Sequence, residues 1–183
     1  MRIGICAPST PFTREDAARV SALAANTHPT AELVFHDQCF AEAGHFAGSD
    51  VERLEAFVGL ANDSEFEAVW FVRGGYGACR IAQDAVAALK SSAGSKIYMG
   101  YSDAGNLLGA LYGAQIGRVC HGPMPADIRR DGGAAAVLRA LDWMLHASPQ
   151  SLEPQLQAGT KYAAFNLMTL AMMVGTPLMP DLK

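Results

Sequence analysis

No apolar run in this chain approaches the ~18 residues that a membrane-spanning helix needs. Charge of one sign is also scarce. Fourteen Lys and Arg face 18 Asp and Glu, the formal net charge is -4, and no run of like charges occurs. That balance argues against a basic surface for nucleic acid and against a membrane-surface patch. Cysteine is sparse, and Cys6, Cys39, Cys79 and Cys120 are far apart with no CxxC pair. Three of them sit in or beside strand-like apolar runs, so buried free thiols in a reducing compartment are expected. The five histidines are scattered and supply no zinc-ligand cluster, so no metal is expected. The opening "MRIGICAPST" lacks the long apolar region and cleavage site of a signal peptide, which makes the cytoplasm the expected location. Repeats and low-complexity tracts are absent.

What remains is an ordinary globular balance, with 183 residues, 50% hydrophobic and 17% charged. One domain and part of a second fit that length. Strand-like and helix-like segments alternate. Arg2–Ala7 is an apolar run stopped by Pro8, and Thr13-Arg14-Glu15-Asp16 resembles a capping box for a helix to about Ala25. Ala31–Phe35 is the second strand. Ser49-Asp50-Val51-Glu52 is a fuller capping box, with Val51, Leu54, Phe57, Val58 and Ala61 following at helical spacing. Ala68–Val72 is apolar on both faces, as a buried parallel strand should be. Helices over 78–89, 103–114 and 133–146 alternate with strands at Lys96–Met99 and Arg118–Cys120. The pattern predicts an α/β fold, a parallel sheet wound on both faces, over residues 1–146. Ligands then bind outside the carboxyl ends of the strands. Pro8-Ser9, Arg73–Gly77, Ser102 and His121–Met124 all fall there.

The texture changes after His146. "ASPQSLEPQLQAGTKY" reads as a linker, and "AAFNLMTLAMMVGTPLMPDLK" reads as the apolar start of a second unit with nothing to pack on. Residues 147–183 are thus expected to be a linker and an incomplete C-terminal domain.

Three stretches carry chemistry. In "KIYMGYSDAGNLLGALYG" a strand turns straight into a helix, with Gly100 and Ala104 two residues either side of Ser102. Small residues there let the two backbones meet, as in a nucleophile elbow, although the second glycine of G-x-S-x-G is missing. The Ser102 hydroxyl would project from the sheet, and the Asp103 N–H would offer the helix dipole to an oxyanion. The competing reading is that Ser102-Asp103 simply caps the helix. "VRGGYGACR" places Gly74, Gly75 and Gly77 between a buried strand and a helix. It reads either as a phosphate loop at a helix N-terminus or as a rigid loop lending a second N–H to the oxyanion. Arg73 would hold a substrate carboxylate or pair with a structural acid. In "CHGPM", His121 would be a general base within reach of Ser102, or a structural histidine at a strand end.

"IGICAPS", "HFAGSDVERLEAF", "VWFVRGGYGACRI", "MGYSDAGNLLGAL", "CHGPM" and "FNLMTLAMMVGTPLMPDLK" occur in an order that resembles the LD-carboxypeptidases, the murein tetrapeptide carboxypeptidases with their microcin C immunity relatives. The resemblance implies a doubly wound, mostly parallel sheet of the class I glutamine amidotransferase-like or flavodoxin-like kind, followed by a truncated second domain. It implies a Ser-Glu-His triad with Ser102 as nucleophile and an oxyanion hole of backbone N–H groups, assigned to Asp103 and Gly75. Arg73, Gly74 and Tyr76 are assigned to substrate binding. The implied reaction removes the terminal D-alanine from the L,D-bond of murein tetrapeptide during cytoplasmic peptidoglycan recycling, without cofactor, in an enzyme that commonly dimerises. The family's Glu and His lie in a C-terminal domain beyond the GTP-x-x-PDL segment, so these residues alone are expected to be nearly inactive. A microcin-type immunity peptidase and a non-catalytic muropeptide-binding module are the alternatives.

Overall fold

The computed structural model describes residues 1–157 and 160–181. Five strands, β1 (Arg2–Cys6), β2 (Glu32–Phe35), β3 (Ala68–Phe71), β4 (Ile97–Gly100) and β5 (Arg118–His121), form one sheet in the order β2-β1-β3-β4-β5. Every pairing is parallel. This is a doubly wound sheet, as expected.

The strand sequences explain why helices cover both faces. Side chains alternate across a strand, so a strand apolar at every position must be buried on both sides. On β3, Ala68 and Trp70 join the core under α1 (Arg14–Thr27) and α5 (Gly133–His146). Val69 and Phe71 join the core under α2 (Asp50–Asn62), α3 (Ala78–Ala88) and α4 (Gly105–Gly113). Trp70 is fully buried, and its indole N–H donates to Pro123 O at 2.8 Å. The Ser49 capping box forms in full at α2, and the Thr13 side chain caps α1.

Two elements differ from expectation. The helix expected from Asp103 begins at Gly105, because a 3-10 turn over Ser102–Ala104 separates it from β4. The apolar segment expected to lack a partner has one. Helix α6 (Leu167–Met173) packs its Thr169 and Met173 against α4 at Gly105 and Gly109, where an added Cβ would fall 3.2 Å from Thr169 Cγ2 and 2.3 Å from Met173 Cε. Its other face exposes Leu167 and Met168. Of the 147–183 segment, residues 158, 159, 182 and 183 lie outside the described residues.

The turn after β5, Pro125–Arg129, folds back over the sheet. Ala126 N–H donates to Val72 O at 3.0 Å, and Gly133 N–H at the start of α5 donates to Arg130 O at 2.9 Å. Gly133 must be glycine, since a Cβ there would lie 1.9 Å from Asp127 O, a backbone atom with no freedom to yield. Gly133→Ala is therefore expected to destabilise the protein by about 2 kcal/mol or more. A chemical-denaturation midpoint measures it, and an unchanged midpoint would contradict the packing.

Candidate active site

Ser102 stands at the junction of β4 and the 3-10 turn with φ +59°, a left-handed conformation that is costly for any residue with a side chain. Such strain persists only where the surroundings fix it, and it concentrates at functional sites. Neither Ser102 nor Asp103 caps the turn or α4 with its side chain, so the capping reading fails. The β3–α3 loop lies against the serine. A Cβ on Gly74 would fall 2.9 Å from both Ser102 Cβ and Oγ, and 3.5 Å from Asp103 N. Gly74 is thus the one residue type that leaves the hydroxyl and the neighbouring N–H uncovered.

Asp103 turns its carboxylate away from the serine, into the protein. Its Oδ2 accepts from Ser9 Oγ at 2.5 Å and from Ala78 N–H at 2.8 Å, and its Oδ1 accepts from Asn106 Nδ2 at 3.0 Å. The N-terminal N–H of α3 is thereby already taken by the protein's own anion, which removes the phosphate-loop reading of "VRGGYG". Arg53 works from the other side. Fully buried on α2, it donates through Nη1 to Pro8 O at 2.6 Å and to Gly77 O at 2.9 Å, and it pairs with Asp50. Thr10 Oγ1 adds a bond to Gly74 O at 2.6 Å.

Ser102 opens into a cavity of about 270 Å³, lined also by Arg73, Gly74, Gly75 and Tyr101 on one side and by Asp127, Arg129 and Arg130 from the β5 turn. Arg73 forms no ion pair among the described residues, and its Nη1 reaches only Pro11 O at 3.3 Å. Arg129 is committed to Asp16, Nε to Oδ2 at 2.6 Å. Tyr101 donates its hydroxyl to Asp127 Oδ1 at 2.7 Å. Burial first, then the Asp127 carboxylate, push this phenol up to about 12, so it stays a donor at neutral pH.

The structure thus brings Arg73, Gly74, Gly75 and Ser102 together. Tyr76 lies outside that cavity, in an exposed aromatic group with His45 and Phe46, each ring centroid 6.1 Å from its own. His121 lies outside it too. Its ring lines a second cavity with α4 and residues 161–165, where burial holds its pKa below the ordinary value against a backbone hydrogen bond with Ala164. No histidine among the described residues lines the Ser102 cavity. No group of three or more His, Cys, Asp or Glu among the described residues could hold a metal ion. Arg53, Asp127 and Arg130 were not singled out from sequence. A charge four residues before the core residue Phe57 was the available sign for Arg53. An acid and two arginines in the turn after the last strand were the sign for the other two.

A flavodoxin-like sheet order with a strained serine after β4 defines the class of fold and site. Residues 3–122 match the LD-carboxypeptidase N-terminal domain, and the chain belongs to that family. Among solved structures it is similar to a muramoyltetrapeptide carboxypeptidase from Oxalobacter formigenes, with TM-score 0.73 and 24% identity, over 99% of this chain and 62% of that one. It is also similar to MccF in complex with glutamyl sulfamoyl guanosine, with TM-score 0.72 and 18% identity, over 100% of this chain and 65% of that one. A third, the microcin self immunity protein MccF in its apo state, has TM-score 0.72 and 19% identity, with the same two coverages, 100% and 65%. At these identities the likeness concerns the fold, and this chain spans under two thirds of each relative. No curated protein matches it.

The Asp103 network yields a stability prediction. Asp103→Ala leaves the Ser9 hydroxyl and the Ala78 N–H without their buried acceptor, while the Asn106 amide keeps only its bond to Asp103 O, at 3.0 Å. It should cost about 3 kcal/mol or more. Asp103→Asn, which keeps one acceptor oxygen, should cost less. Denaturant unfolding of both variants measures the order, and equal losses would contradict it.

Proposed function

We propose that this chain carries the nucleophile of a serine-type LD-carboxypeptidase that removes the terminal D-alanine of murein tetrapeptide in cytoplasmic peptidoglycan recycling. The observation that carries the reading is Ser102, strained and uncapped, opening into a cavity where Arg73 has no acidic partner among the described residues. An arginine with free donors suits the free carboxylate that a carboxypeptidase must recognise.

In this reading Ser102 Oγ attacks the carbonyl carbon of the L,D-bond, and its proton passes to a base. The oxyanion is met by the N–H groups of Asp103 and Gly75. As the C–N bond breaks, the base returns the proton to the departing D-alanine amine. Water, deprotonated by the same base, then cleaves the serine ester. The base is a histidine oriented by a glutamate, both supplied from outside the described residues. What supports an outside base is the cavity itself, which no histidine among the described residues lines. Neither cofactor nor metal enters this scheme. Dimerisation and the location in the cytoplasm belong to the same proposal. Among the described residues no helix is long and apolar enough to cross a membrane.

The test is D-alanine release from murein tetrapeptide by this chain, with Ser102→Ala beside it. Alone, the chain is expected to be slower than the complete triad by a factor of order 10⁶. Adding a family C-terminal domain that bears Glu and His should give release that Ser102→Ala abolishes. Serine-dependent turnover by the chain alone would place the base within it, with His121 the first candidate. Cleavage of an aminoacyl-nucleotide analogue in preference to tetrapeptide would make it a microcin-type immunity peptidase. Binding without turnover in either form would make it a muropeptide-binding module.

A further inference from the structure

Thr10 is not used by the scheme above, and it does not line the Ser102 cavity. It lies on the loop after β1, between two residues that are themselves held. The fully buried Ser9 donates its hydroxyl to Asp103 Oδ2 at 2.5 Å, and its carbonyl accepts from Ala47 N–H at 3.0 Å. Pro11 O accepts from Arg73 Nη1 at 3.3 Å. The loop therefore presents the Thr10 side chain from a fixed position, and both branches of that side chain meet the β3–α3 loop. The hydroxyl donates to Gly74 O at 2.6 Å. The methyl stands against the next residue, where a Cβ on Gly75 would fall 2.4 Å from Thr10 Cγ2. Gly75 has φ +130°, a conformation that glycine alone adopts without strain.

Gly74 O and Gly75 N–H belong to one peptide group. In a planar trans peptide the carbonyl and the N–H point in opposite directions. The bond that turns this carbonyl toward Thr10 therefore turns the Gly75 N–H away from Thr10. That N–H has no acceptor among the described residues, and Gly74 and Gly75 both line the cavity that holds Ser102. We propose that Thr10 is a positioning residue, which holds the Gly74–Gly75 peptide so that the Gly75 N–H faces the Ser102 cavity. A peptide between two glycines is otherwise free to rotate, and rotation would offer the cavity a carbonyl oxygen in place of a donor. Resting on the carboxypeptidase reading above, Thr10 keeps one of the two oxyanion donors in place before the reaction starts. It does so without touching the substrate, through a carbonyl on the far side of the peptide.

The experiment compares Thr10→Val, which keeps the branched shape and loses the hydroxyl, with Thr10→Ser, which keeps the hydroxyl. On the full chain alone, nitrogen-15 relaxation reads the Gly75 N–H. Its order parameter should be about 0.85 in the native chain and in Thr10→Ser, and should fall below about 0.6 in Thr10→Val. With a family C-terminal domain supplied, D-alanine release by Thr10→Val should lose about 10-fold or more in kcat and in kcat/KM alike, the mark of an interaction made in the transition state. Thr10→Ser should restore most of that loss. A low order parameter in the native chain, or one that Thr10→Val leaves unmoved, overturns the proposal. A loss confined to KM, or one that Thr10→Ser does not rescue, overturns it too. A Thr10→Val chain that no longer folds makes the role of Thr10 structural and overturns it as well. If the native chain with that domain releases no D-alanine, the carboxypeptidase reading fails, and the order parameter still decides whether Thr10 holds this peptide.

Discussion

The crevice depends on one buried carboxylate. Asp103 is 4% exposed, and removing a carboxylate from water is costly unless donors replace the water. Here the donors come from three different places in the chain: the loop after β1 through Ser9, the start of α3 through Ala78, and α4 through Asn106. None can move away without leaving the charge unsatisfied. The loops that carry the site are therefore fixed relative to one another by an electrostatic requirement, and not by contact area alone. Arg53 imposes the complementary requirement from the α2 side, where its guanidinium holds the carbonyls of Pro8 and Gly77. A buried anion and a buried cation thus grip the same two loops through opposite partners.

The strain at Ser102 follows from this. A serine at φ +59° would relax toward the right-handed region if its neighbours allowed it. The residue after it is pinned by the Asp103 bonds. The Ser102 carbonyl is approached by Thr169 Oγ1 at 3.4 Å from α6, and Gly74 lies directly against the side chain. The surroundings over-determine the conformation, and the hydroxyl is left pointing into open space beside an N–H. The glycine loop and the serine turn are two halves of one geometry.

The fold was legible because it rests on local periodicities. Alternation marked the strands, "AVWFV" marked the buried centre of the sheet, and the Ser49 capping box marked a helix start. The site was legible only as far as strand ends carry it. That rule brought Ser102, Arg73 and the glycines together, but it could not choose between a phosphate loop and a loop facing the serine. The deciding fact was the Asp103–Ala78 bond, formed between residues 25 positions apart and invisible to any local pattern. Tyr76 shows the same limit. It shares a loop with Gly75, yet its ring packs outward on His45 and Phe46, residues contributed by a separate loop. The turn carrying Asp127 and Arg130 lies beyond the strand end and reaches the site only by folding back onto Val72.

The position of His121 shows that the alternation along a strand, and not the adjacency of strands, decides which cavity a side chain lines. β5 lies beside β4, and His121 is in register with Gly100, two residues before the serine. Side chains alternate along a strand, however, so the face His121 presents is set by its neighbours. Cys120 packs on the α1–α5 side of the sheet and Val119 on the α4 side. His121 shares the parity of Val119, and its ring opens toward α4 and residues 161–165. The Ser102 cavity is closed instead by Met124, Ala126 and Asp127 from the returning turn. The His121 ring still lies near the serine turn, its centroid 6.0 Å from that of Tyr101, the residue before Ser102. The alternation along β5 thus turns this histidine toward the α4 cavity, and the returning turn takes its place beside Ser102. On the proposed reading, the base therefore has to approach the crevice from outside the sheet.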